Sequence, residues 1–170
     1  RDSRSDQKLG ETFDHHMVEF TYAKDVRLLS QCRHIRGCWN SVSEHVHGTQ
    51  GSCDISAAVI RDPSGKVIWQ SSQKPSKDRG CQQAQHDLFA SLRKGEIPNE
   101  GDYGATSTMT AIMGRMASYS GKIVRWNEAL QSDQMLADVD AMQSLNDIAP
   151  VQPLPDGNYE VAIPGQTKVI

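Results

Sequence analysis

No stretch of this sequence approaches the run of about 20 apolar residues that a membrane-spanning helix needs. The longest run, Ile55 to Ile60, is broken by Ser56. Charge of one sign does not accumulate either: 18 Lys and Arg against 21 Asp and Glu leave a net charge of −3. Such a balance offers no electrostatic footprint for nucleic acid or an anionic membrane. No glycine-rich loop follows a strand and opens a helix, so no dinucleotide site is encoded here. A serine nucleophile elbow, a Walker loop and a His-Glu-x-x-His zinc helix are absent as well. Their joint absence argues against a self-sufficient enzyme. Cysteine is sparse: Cys32, Cys38, Cys53 and Cys81 are too few and too scattered for a disulfide scaffold. They are expected to be free thiols behaving as small hydrophobes, with a disulfide or metal role as the alternative. The sequence opens on Arg1, not Met, in a polar stretch without an apolar signal core, which reads as a chain cut from a longer one.

The 170 residues suit one domain with a single core, expected to span 1–170. Residues 1–12 are polar and read as an arm. Over residues 13–70 the period is two, and a meander of five or six strands is expected. His16, Val18, Phe20 and Tyr22 alternate with Met17, Glu19 and Thr21. After the turn Ala23-Lys24-Asp25, a second run places Val26, Leu28, Ser30 and Cys32 on one side, predicting an antiparallel hairpin. Val42, Glu44 and Val46 lead into the turn Gly48-Thr49-Gln50-Gly51, and Ser52 to Arg61 reads as one further strand. Asp62-Pro63-Ser64-Gly65 is a strong turn with Val67 to Gln70 as its return.

A polar linker over Ser71 to Arg79 precedes a longer period. Cys81, Ala84, Leu88 and Leu92 predict a helix of about 13 to 15 residues, stopped by Gly95 and Pro98. Met109, Ile112, Met113 and Met116 mark a second helix, capped by Thr106 or Ser107 and ended by Gly121. Ile123 to Arg125 is a short strand or link. Trp126 to Leu130 reads as a brief helix with Asn127 as N-cap, and Leu136 to Leu145 as one or two further turns. Helices thus occupy 81–132, and a proline-rich tail with room for an edge strand covers 150–170. Strands first and helices after predict an α+β fold: an open, mainly antiparallel sheet with helices packed on one face.

Six histidines offer acid, base or ligand chemistry near neutral pH. His45 and His47 flank Val46 and share a strand face; a metal would need a third ligand, and Glu44 points the other way. Ordinary strand residues are the simpler reading. Asp14-His15-His16 lies where the arm enters the first strand, and Arg33-His34 ends the second. A hairpin would gather His15 or His16 with Arg33 and His34 into a polar patch, with plain surface histidines as the bland alternative. His86 reads as a solvated helix residue. The methionine stripe reads as core packing, while Ala111, Gly114, Ala117, Ser118 and Gly121 favour a partner domain, since small positions permit close approach of another element.

Several longer runs carry a resemblance. They are Phe13-Asp14-His15-His16-Met17-Val18-Glu19-Phe20-Thr21-Tyr22, Ser30-Gln31-Cys32-Arg33-His34-Ile35, Ser43-Glu44-His45-Val46-His47-Gly48-Thr49 and Ser107 to Met116. With Ser120-Gly121-Lys122, Trp126 to Ser132 and Ile163 to Lys168, their order and spacing resemble the carboxy-terminal domain of the glucose–fructose oxidoreductase / inositol dehydrogenase group (Gfo/Idh/MocA). The resemblance covers nearly the whole chain. It implies a parent with an amino-terminal Rossmann domain for NAD or NADP, absent here, followed by this domain for substrate binding and oligomerisation through the sheet face. The reaction implied is hydride transfer at a hydroxyl of a sugar or cyclitol. Alternatives are the same domain in an NAD-dependent glycosidase and a non-catalytic interaction domain.

The family's catalytic Lys, in a Glu-Lys-Pro motif, and its Asp-x-x-x-His helix would lie upstream, so no catalytic residue transfers and the chain alone is expected to be inactive and to hold no cofactor or metal. Arg1 falls where one branch has the Arg of a Gly-Gly-Arg loop, while Asp25 stands where relatives often have a turn glycine. Arg1, His15, His16 and Arg33 are the expected substrate-binding residues. A soluble parent, cytoplasmic or periplasmic, is expected.

Overall fold

The computed structural model describes residues 10–72 and 79–169. Most of the expected arm and linker lies outside them. The fold is α+β, with antiparallel two- and four-stranded sheets that are both open, and three α-helices. The chain divides into two compact units, residues 38–100 and the remainder.

In the first unit, β1 (His15–Thr21) pairs with β2 (Arg27–Arg33) along seven residues, His15 opposite Arg33 and Thr21 opposite Arg27. The expected alternation is present: His16, Val18 and Phe20 are half-buried while His15, Met17 and Glu19 are exposed. A single 3-10 turn, Ala23–Asp25, joins the strands, with Lys24 and Asp25 at φ 60° and 58°. That is the left-handed region where a Cβ is disfavoured, so the turn at Lys24 and Asp25 is strained. Arg27 steadies it, donating to Asp25 at 2.9 Å and to Glu19 at 2.5 Å.

Helix α2 (Gly101–Ser120) packs on the half-buried face of β1. The contact centres on Gly114, where an added Cβ would stand 3.1 Å from Phe20 Cζ. The small position expected to admit a partner domain receives a ring of the chain's own hairpin. Helix α2 begins at Gly101, before the expected cap at Thr106 or Ser107, and ends at Gly121 with φ 67°. Pro164 closes over that end, 2.9 Å from where a Cβ would lie, and the Gly165 amide donates to the Ser120 carbonyl at 2.6 Å. Helix α3 (Trp126–Leu130) follows, with Arg125 in place of Asn127 as N-cap and Glu128 reaching back to the Arg125 amide at 3.3 Å. Phe13, Met116, Tyr119, Ala129 and Val169 form the core, with Met109, Met113, Val124, Val161 and Ala162 against it.

Two expectations fail here. Leu136 to Leu145 forms bends and turns without a helix, and the tail carries no strand among the described residues. Local side-chain bonds prevail instead: Asp147 accepts from the Gln143 and Ser144 amides, and Asp156 from that of Asn158.

In the second unit, β3 (His45–Gly48), β4 (Gly51–Asp54), β5 (Val59–Arg61) and β6 (Val67–Gln70) form the four-stranded meander in chain order. The strand expected over Ser52 to Arg61 is two strands. The Ala57 amide binds Asp54 Oδ1 at 2.8 Å and the Ala58 amide binds the Ile55 carbonyl at 3.0 Å, which turns the chain and sets Ala58 at φ 52°. Apolar continuity through Ile55 concealed this Asp-initiated turn. Asp62 builds the next turn by accepting from the Ser64 and Lys66 amides. Helix α1 (Arg79–Arg93) matches the expected span, and Gly95 follows at φ 78°.

Candidate functional site

The site grows from the entry to β1. Backbone pairing continues past the ladder, since the His34 amide donates to the Asp14 carbonyl at 2.7 Å. This fixes Asp14 beneath the hairpin end, where the residue is only 2% exposed. A buried carboxyl is costly without hydrogen-bond donors, and His15 supplies one: Nδ1 lies 2.5 Å from Asp14 Oδ1. The pairing orients the imidazole. With a proton on Nδ1, Nε2 carries the basic lone pair, and the side chain is 48% exposed.

Arg33 stands opposite His15 in the ladder, so both side chains leave the same face of the hairpin. Alternation sends His16 to the other face, where its ring lies tilted 5.8 Å from Phe13 and stacks 6.0 Å from Tyr119. Phe13 and Tyr119 stack at 4.5 Å, and the Arg115 guanidinium lies 4.2 Å over the Tyr119 ring. Burial pushes the His16 pKa below its ordinary 6.5, and the charges of His15 and Arg115 push it the same way. His15 and Arg33 therefore come together, His16 does not join them, and Arg1 lies outside the described residues.

Sequence reasoning missed Arg115 and Tyr119. Their signal was present: Tyr119 continues the stripe of Met109, Met113 and Met116, and Arg115 precedes it by one helical turn.

The remaining candidates are plainer. His45 Nδ1 lies 3.9 Å from Asp54 Oδ2 and His47 faces Ser52, and among the described residues no group of three His, Cys, Asp or Glu is placed to hold a metal. Gly48 and Gly51 pair across a two-residue turn, and a Cβ on Gly51 would come within 2.0 Å of the Arg61 carbonyl oxygen. Close approach of β5 thus explains this glycine without a phosphate. The four cysteines are free thiols; Cys53 is half-buried and the other three are exposed. Among the described residues, no helix is long and apolar enough to cross a membrane.

Comparison with protein-family models, curated proteins and solved structures gives no match.

Proposed function

We propose that this chain is the substrate-binding and oligomerisation domain of an NAD(P)-dependent oxidoreductase of the Gfo/Idh/MocA type, acting on a hydroxyl of a sugar or cyclitol. The observation that carries the reading is the pairing of His15 with Arg33 across the ladder, with Asp14 fixing the His15 ring. A guanidinium offers fixed donors to hydroxyl oxygens, and the outward imidazole nitrogen of His15 can exchange a hydrogen bond with a neighbouring hydroxyl. Side by side, they can hold neighbouring hydroxyls in one orientation. NAD(P), bound by a separate amino-terminal domain, would take up the hydride. His15 and Arg33 orient the substrate, and His16 acts as packing that supports them.

The other face of the reading is self-association. Met17 and Leu29 are 73% and 62% exposed on the hairpin side opposite α2. On this side, which they share with His15 and Arg33, two exposed apolar side chains favour a second cover beside the substrate position.

The test is an assay of the protein that carries this chain joined to its dinucleotide-binding half. Inositol and aldoses with NAD or NADP should give a rise in reduced nicotinamide absorbance. Release of chromophore from a chromogenic glycoside, dependent on NAD and without net reduction, would replace the dehydrogenase by the glycosidase. No reaction of either kind would leave an interaction domain.

A further inference from the structure

The second sheet has two unlike faces, and its apolar one is bare. The register aligns Val46, Cys53, Ile60 and Trp69 in one row across all four strands, so their side chains leave the same face. Val46, Ile60 and Trp69 are exposed and Cys53 is half-buried. On β3 and β4 the opposite face carries His45, His47, Ser52 and Asp54. An antiparallel sheet solvated on a polar side rests its apolar side on another layer.

Helix α1 has the converse need. Ala84, Leu88 and Leu92 fall four residues apart and make one stripe, with Phe89 beside it. Yet Leu88, Phe89 and Leu92 are exposed, and no described residue of α1 is buried. Its 15 residues run about 22 Å, enough to cross the roughly 14 Å between the outer strands of the sheet. Sheet and helix belong to one compact unit, but a single chain leaves both faces in water. A second copy brings a helix for the sheet and a sheet for the helix. Covering Val46, Ile60, Trp69, Leu88, Phe89 and Leu92 removes on the order of 600 Å² of side-chain surface per chain from water. A reciprocal pair therefore reaches roughly 1,200 Å², where stable interfaces begin.

We propose that two copies of this chain pair by reciprocal exchange, the Leu88 and Leu92 face of α1 in each lying across the Val46, Cys53, Ile60 and Trp69 row of the other. Such a contact is two-fold symmetric and closes on itself, so it stops at a dimer. It lies in the unit that holds neither His15 nor Met17. It rests neither on the oxidoreductase reading nor on the hairpin face.

Sedimentation of the chain at about 50 µM tests this, with Met17→Lys in every sample so that the hairpin face plays no part. The proposal expects a dimer. Leu88→Glu and Trp69→Lys, both at exposed positions, should each weaken dimerisation at least about tenfold. Mixing the two variants should restore the dimer, because one contact is then unaltered and the other sets the new carboxylate against the new ammonium. Phe89→Glu and Val46→Lys repeat the exchange if circular dichroism shows either first variant unfolded. A monomeric Met17→Lys chain overturns the proposal. So does a dimer that survives Leu88→Glu, which would mark sheet-on-sheet pairing, or one that survives Trp69→Lys, which would mark helix pairing. Loss of the dimer in both variants without recovery on mixing also overturns it.

Discussion

At the scale of single residues, neighbours separated by one position carry different duties. His15 faces outward beside Arg33 with its Nδ1 at Asp14, while His16 is packed among Phe13 and Tyr119. The sequence places both in one candidate patch because the spelling Asp-His-His does not say which ring faces the core. Alternation along β1 settled this in principle, since His16 shares the parity of Val18 and Phe20. The partners Arg115 and Tyr119 were not legible from the strand, because they lie about a hundred residues away. The lowered His16 pKa has a consequence. A histidine held below its unfolded value binds fewer protons when folded, so its contribution is full above about pH 6.5 and is lost as pH falls through the folded value. Melting temperature should therefore decline between neutral pH and pH 5, and His16→Phe should flatten that decline. An identical slope in the variant would contradict the burial of the ring.

At the scale of elements, the period of the sequence predicted type well and boundaries less well. Helix α1 matched because a full apolar stripe and a glycine stop both mark it, although Leu88, Phe89 and Leu92 are 40%, 52% and 48% exposed. The false single strand over Ser52 to Arg61 arose because Ile55, Ala57 and Ala58 are apolar enough to hide a turn built by Asp54. Two glycines test the packing. Gly51 combines φ 144° with the 2.0 Å approach of the Arg61 oxygen, so Gly51→Ala should destabilise the second sheet by on the order of 2–4 kcal/mol. Faster hydrogen exchange at Cys53 and Ile60 would report it. Gly114→Leu should cost about 1–3 kcal/mol by driving into Phe20. Denaturant midpoints equal to the parent's would mean that α2 does not press on β1.

At the scale of the whole molecule, the fold class was readable because strands precede helices in the sequence. The division into two units was not, since the segments around residues 37 and 100 differ little in composition from other turns. Self-association is the property that local patterns specify least. Sedimentation at micromolar concentration should show a species larger than the monomer, and Met17→Lys should shift it toward the monomer by charging an exposed apolar face. A monomer in both cases would remove oligomerisation from the account.

The central claim is that the outward face at the end of the hairpin orients a hydroxylated substrate. Steady-state kinetics on a longer protein of the kind the proposed function requires, with a dinucleotide-binding domain joined to this chain, test it most directly. His15→Ala and Arg33→Ala should each lower kcat/KM for the preferred polyol at least about tenfold, equivalent to roughly 1.4 kcal/mol. His16→Ala should instead lower the melting temperature. If His15→Ala and Arg33→Ala leave kcat/KM unchanged, the paired residues are structural and the proposed substrate site is wrong.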